Sequence, residues 1–393
     1  MRDIAANTWK LILYRFLHHL VFAYVIERLY WLDRGISISQ TVHLEIIYAA
    51  VVVVLDVPTG ALADAWSRKW LLVASAACML GELVIITFSR GFPAFALAIA
   101  LVGLGQVLAS GTFNALLYDS LATAEQTAEF ETVLGRIILA DRTALIIGAL
   151  AGGAIAARYG LSATYRLSLL SFLGALGVAL TLREPARGPS ETLAGYWRHI
   201  PAAVLFLRRQ GDLWPVLLLR IVVGAVQVYL DEFWQVFLMR INIPVVWFGP
   251  FLTASCLAYG LAGSFAHWLK ARFTDGRILA VLPLLFGVAL ILAGWLRSCG
   301  GFFFLLLAYL PAATAEPLVT GFLHVHVDSA HRATIESCQS LALRLASAAV
   351  GMLFGWVAER WSIFLGYLML GFFVLVFGVC HLKRLWECER IQK

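Results

Sequence analysis

The chain has 393 residues, 61% of them hydrophobic and 14% charged, with a formal net charge of +6. A soluble domain of this length could not bury so much apolar surface, which excludes a water-soluble globular fold. Apolar runs close to the roughly 20 residues needed to cross a bilayer recur throughout. In chain order they cover residues 11–31, 42–63, 70–88, 92–118, 133–157, 162–182, 213–238, 246–269, 278–296, 302–327, 333–358 and 361–382. This pattern predicts an all-α membrane protein with twelve transmembrane helices. With both termini inside, only eight of the thirty Lys and Arg fall outside: Arg28, Arg34, Arg90, Arg158, Arg166, Arg240, Arg297 and Arg360. That asymmetry predicts an N-in/C-in topology, and the basic balance then calls for no nucleic-acid partner.

The first run is long and lacks a small-residue cleavage site, so it reads as a retained helix. Six cysteines (Cys78, Cys256, Cys299, Cys338, Cys380 and Cys388) show no metal-ligand spacing, and neither a disulfide nor a metal site is expected. No Walker-type glycine loop and no paired nucleophile and base occur, so the chain is not expected to be an enzyme or to need a cofactor.

Residues 58–70 read Pro58-Thr-Gly-Ala-Leu-Ala-Asp-Ala-Trp-Ser-Arg-Lys-Trp70. An apolar run ends in an acid, a small turn and a basic pair, and a second run begins at once. Ionisable groups at that depth are costly unless paired. The stretch resembles the loop between helices 2 and 3 of the major facilitator superfamily, G-x-L-A-D-x-x-G-R-K. Gly60, Leu62, Ala63, Asp64, Arg68 and Lys69 match, and Ser67 replaces the usual glycine. Residues 110–121, Glu316-Pro317 and residues 332–337 resemble a bacterial drug-efflux-like branch of that superfamily. The chain departs from that branch at Asn114, where an acid is common. The fourth run lacks a mid-membrane arginine, and the fifth has Gly148, Gly152 and Gly153 without the antiporter proline. The resemblance implies two pseudo-symmetric six-helix bundles that alternate access to a central site.

Internal repetition agrees with two halves. A shift of 205 positions aligns Trp9 with Trp214, Arg15 with Arg220, Tyr24 with Tyr229 and Glu27 with Glu232. A shift of 202 aligns Arg142 with Arg344, Gly153 with Gly355 and Arg158 with Arg360. Parallel repeats of this kind mark transporters whose halves rock about a shared site. The expected domains are 1–183, a cytoplasmic linker 184–212 and 213–393. Within the linker, Leu193, Tyr196, Trp197, Ile200, Val204 and Leu207 recur at helical spacing, which suggests an amphipathic surface helix.

Intramembrane charges supply the candidate site. Arg15 and Arg220 occupy equivalent positions; by resemblance their helices line the central cavity. A guanidinium fork suits a carboxylate or phosphate, so the pair reads either as a substrate clamp or as two internal ion pairs that fix packing. Arg142 and Arg344 form a second equivalent pair, and Arg344 joins the candidate substrate contacts. At 100° per residue, Arg220, Gly224, Gln227 and Asp231 share one face of the seventh run, while Glu232 points away. Arg15, His18, His19 and Phe22 share a face of the first. Either histidine could carry protons or simply hydrogen-bond a neighbour. Gln106, Ser110 and Asn114 fall at i, i+4 and i+8 of the fourth run, a neutral track for substrate. Glu316 lies mid-run before Pro317, where it is the first candidate for proton coupling and Asp231 the second; a static pairing of Glu316 with Arg344 is the alternative. Asp56, Glu82 and Asp141 receive no role.

By resemblance, Gly60, Asp64, Arg68, Lys69, Asp119 and Arg332 form a cytoplasmic gate. Asp64 would face the helix that starts near Arg332, and Arg68 would meet Asp119. The whole reading is a monomeric carrier in the bacterial inner membrane. It would move a small, anionic organic solute, driven by the proton gradient, with export expected. A proton-coupled importer of the same fold is the near alternative, and a non-transporting sensor or scaffold the distant one.

Overall fold

A computed structural model describes residues 2–110, 112–185, 213–326 and 329–387. The expected surface helix lies outside them. All regular structure described is helical. The helices are α1 (Arg2–His19), α2 (Glu27–Asp33), α3 (Ile38–Ala65), α4 (Arg68–Phe88), α5 (Phe92–Ala109), α6 (Thr112–Thr123) and α7 (Phe130–Tyr159). They continue with α8 (Leu161–Thr181), α9 (Trp214–Arg240), α10 (Phe248–Lys270), α11 (Asp275–Leu296), α12 (Cys299–His326), α13 (Ser329–Arg360) and α14 (Ile363–Glu387). With α1–α2 and α5–α6 each taken as one interrupted segment, the described chain holds twelve long helical segments. Ten of these are long and apolar enough to cross a membrane. The other two are α7, with Asp141 and Arg142 in its interior, and α9, with Arg220, Asp231 and Glu232.

Local chemistry sets the helix starts. Ser37 begins α3 with a reciprocal cap: its Oγ accepts from Gln40 N at 3.3 Å, and Gln40 Oε1 accepts from Ser37 N at 3.0 Å. Pro93 and Pro215 sit in the first turns of α5 and α9, where a missing N–H costs nothing. Ser67 explains its own departure from the glycine of the loop motif. It caps α4 by accepting from Trp70 N at 3.3 Å.

The first apolar run is not one helix, contrary to expectation. α1 stops at His19, a 3₁₀ turn covers Tyr24–Ile26, and α2 follows. The amides of Phe22 and Ala23 donate to Ser168 Oγ at 3.0 and 3.2 Å, and Ser168 donates to Thr164 O at 2.8 Å. Two glycines of α7 let this irregular backbone press against that helix. A Cβ on Gly152 would lie 2.2 Å from Phe22 O, and one on Gly148 would lie 3.0 Å from Val21 O. Non-helical backbone at membrane depth persists only where protein satisfies it. The fourth run is interrupted too: α5 ends at Ala109, Ser110 leaves the helix at ψ 130°, and α6 begins at Thr112.

The chain divides into two compact units, one of Met1–Leu193 with Pro244–Leu252 and one of Ala194–Ile243 with Thr253–Lys393. In the first, α1 packs on α7 and α8, α4 on α5 and α8, and α3 on α5. In the second, α11 packs along α12 and α14, and α9 lies against α12, α13 and α14. Tyr229, Phe233, Phe237, Phe286 and Tyr367 are fully buried in the second unit.

Gly152→Ala should destabilise the protein by about 1–3 kcal/mol through overpacking. Ser168→Ala should cost about 1–3 kcal/mol by leaving two amides unpaired. Thermal unfolding in detergent reads both; unchanged midpoints would refute this account of the break.

Candidate functional site

In the first unit, Arg15 on α1 is held by Asp141 on α7. Its Nε lies 3.1 Å from each carboxylate oxygen, and Nη2 also donates to Oδ2. His19, one turn after Arg15, places Nδ1 3.1 Å from Arg15 O and 3.4 Å from Asp141 Oδ1. The Arg15 guanidinium also lies 5.2 Å from the centre of the Phe113 ring. His18 stacks on Tyr14 at 5.8 Å and meets Phe172 edge-on at 5.4 Å, a packed aromatic setting. Arg15 is thus satisfied within its own unit. Asp141, left without a role by the sequence, is the partner. The signal for it was an acid inside an apolar run, beside Arg142. Arg142 is exposed and makes no ion pair among the described residues.

In the second unit, Arg220 on α9 donates through Nη2 to Glu316 Oε1 on α12 at 2.8 Å. This corrects the expected alternative partner. Glu316 meets Arg220, and Arg344 forms no ion pair among the described residues. Gly224 makes the geometry possible, because a Cβ there would lie 2.6 Å from Arg220 Nη1. The side chain of Glu316 is 54% exposed and that of Arg220 18%, so the carboxylate is the accessible partner.

Two turns beyond Gly224 on the unbroken α9, Asp231 receives a neutral donor. The Tyr259 hydroxyl lies 3.0 and 3.2 Å from its two oxygens. Gln227 Nε2 donates to that same hydroxyl, which fixes Tyr259 as acceptor from Gln227 and donor to Asp231. The Tyr309 hydroxyl donates to Leu230 O at 3.4 Å, and its ring meets Tyr259 edge-on at 5.8 Å. The face shared by Arg220, Gly224, Gln227 and Asp231 was legible from helical spacing. Tyr259 and Tyr309 were not, because tyrosines on apolar helices carry no pattern of their own.

The neutral track differs from expectation. Gln106, Ser110 and Asn114 are all exposed, but the helix breaks at Ser110, so i, i+4, i+8 spacing does not align them on one face.

At the hairpin, Arg68 pairs with Asp119, as the motif implies. Lys69 places Nζ 5.3 Å from the Trp70 ring centre. The side chains of Gly60's neighbour Asp64 and of Arg332 lie outside the described residues, as does the environment of Gly60 itself. The sequence missed Glu184. Its carboxylate accepts from Ser67 Oγ at 2.6 Å, Arg68 N at 3.0 Å and Lys69 N at 2.8 Å. It thereby satisfies the orphan amides at the start of α4, where the helix dipole favours an anion.

The description Major Facilitator Superfamily matches residues 13–335, more than half of the chain. The protein belongs to the major facilitator superfamily. It is therefore a transporter by family, and a multi-pass membrane protein. Among curated proteins none matches it in sequence. Solved structures share the fold at low identity. A mutant of the nucleoside transporter NupG aligns at TM-score 0.79 and 15% identity, covering 96% of this chain and 99% of that one. A bacterial homologue of the human lysosomal transporter Spinster, inward-facing and occupied, aligns at 0.74 and 16%, covering 98% and 96%. A mutant of the peptide transporter POT in complex with sulfate aligns at 0.70 and 15%, covering 97% and 95%.

A double-mutant cycle tests the first-unit pair. Arg15→Gln and Asp141→Asn should each destabilise, and the double variant less than their sum. The expected coupling is about 1–3 kcal/mol, discounted from a fully buried pair because Arg15 is about a third exposed. Additive losses in thermal unfolding would show that the pair contributes nothing.

Proposed function

We propose that this superfamily member is a secondary active transporter of a small organic solute, working by alternating access and driven by the proton gradient. The observation that supports coupling is the contact between Arg220 and Glu316 at 2.8 Å. Protonation of Glu316 removes the charge that holds Arg220 and frees a guanidinium for an anionic group of the solute. Asp231, on the same face of α9, is the second group available for a proton. In the first unit, Arg15, His18 and His19 are the candidate solute contacts carried over from the sequence. Gln106, Ser110, Asn114 and Gln227 supply exposed or half-buried neutral hydrogen-bonding groups. Arg344 forms no ion pair among the described residues and is a further cation that an anionic solute could approach. No cofactor is needed, the working form is a monomer, and the membrane is the bacterial inner membrane.

Export rests on the resemblance to efflux-like carriers. The Arg220–Glu316 contact favours the alternative direction. If a proton on Glu316 is what opens Arg220, proton and anion occupy the site together and move together. Under an inward proton gradient that is import. The hairpin pair Arg68–Asp119 and the Glu184 cap serve as a latch at one end of the first unit, which must loosen when that end opens.

Reconstituted vesicles with an imposed pH gradient test the proposal. Wild-type protein should accumulate solute in response to the gradient. Glu316→Gln should retain exchange of solute while losing at least about tenfold of gradient-driven accumulation. Equal accumulation by the variant would remove Glu316 from coupling.

A further inference from the structure

We infer that Asp231, Tyr259 and Tyr309 form a subsite for a basic nitrogen of the transported solute, an inference that rests on the transporter reading above. Asp141 in the first unit has Arg15, and Glu316 in the second has Arg220. Asp231 forms no ion pair among the described residues, and its hydrogen-bond partner is the neutral hydroxyl of Tyr259. An ionised carboxylate offers about four lone-pair directions, and one hydroxyl proton leaves room for further donors. The residue is exposed rather than sealed into packing, so a ligand can reach those directions.

The donor is itself fixed. Gln227 commits the Tyr259 hydroxyl proton to Asp231 by donating into its oxygen. Tyr309 is fully buried and held against Tyr259. The arrangement holds the carboxyl group in one orientation and brings it no positive charge among the described residues. Inside a membrane protein an ionised carboxylate is costly without a counter-charge. An ammonium or amidinium group supplies the charge and the donors together, whereas an anionic group would meet repulsion at this position.

Spacing on α9 narrows the solute further. Arg220 and Asp231 are eleven residues apart on an unbroken helix, roughly 16 Å along its axis and about 20° apart around it. A solute that engages both is elongated, with a basic nitrogen at one end and an anionic or strongly accepting group toward the other. This adds a basic nitrogen to the sequence expectation of a solute with an anionic group.

The test uses purified full-length protein and four classes of compound of matched length: alkylamines, ω-amino acids, carboxylates and neutral alcohols. Binding is read by thermal stabilisation and titration, and uptake is measured separately in proteoliposomes. Amines and ω-amino acids should stabilise the wild type. Asp231→Asn should weaken their binding by about tenfold or more, Asp231→Glu should recover part of it, and Arg220→Gln should weaken ω-amino acids but not alkylamines. If Asp231→Asn fails to fold, Tyr259→Phe should still weaken amines several-fold. The subsite is refuted if no amine stabilises the protein, if carboxylates or alcohols alone do, or if the Asp231 and Tyr259 variants bind amines as tightly as the wild type. Asp231-dependent binding without uptake of any compound would sink the transporter reading and leave the subsite. Uptake restricted to compounds lacking a basic nitrogen would do the reverse.

Discussion

An arginine inside a bilayer needs a counter-charge, and the arrangement of this protein follows from how it meets that need. Arg15 reaches 126 residues along the chain to Asp141, and Arg220 reaches 96 residues to Glu316. Each pair ties together helices that local propensity could never bring into register, α1 to α7 and α9 to α12. At an exposed surface such a pair contributes about 0–1 kcal/mol. Away from water, removal of one partner strands the other and costs several times more. The pairs therefore constrain which helix faces can turn inward, and the polar stripe of α9 follows that constraint.

The two arginines are equivalent in sequence, but their acids sit on non-equivalent helices and in unequal environments. Asp141 is one-tenth exposed and is shared with His19, whereas Glu316 is more than half exposed and pairs, among the described residues, with Arg220 alone. The first unit holds its arginine in a closed triad; the second offers a carboxylate that solvent can reach. The helices have diverged in the same sense. α1 and α2 are separated by irregular backbone that lies on glycines of α7, while α9, the counterpart of that run, is continuous from Trp214 to Arg240.

Much of this could be read from residues alone. Apolar runs located the helices, because a bilayer demands length and apolarity whatever the tertiary fold. The stripe from Arg220 to Asp231 was legible because helical spacing is fixed. The match at Gly60, Leu62, Ala63, Asp64, Arg68 and Lys69 led to the superfamily, which the family match over residues 13–335 establishes. What escaped was contact across long sequence separation. Glu184 reaching back to the start of α4, Asp141 holding Arg15, and Tyr259 fixing Asp231 all join residues with no shared local pattern. The break after His19 escaped for a different reason: its cause is Ser168 and two glycines on other helices, and the stretch that breaks, residues 20–26, reads as continuously apolar.

The central claim is that Glu316 takes up a proton and thereby releases Arg220. Infrared difference spectroscopy on the membrane-reconstituted protein, between alkaline and acidic buffer, tests it most directly. The account predicts a carboxylic-acid C=O band that grows on acidification, disappears in Glu316→Gln and changes frequency in Arg220→Gln. A band that persists in Glu316→Gln, or one indifferent to Arg220→Gln, would contradict it.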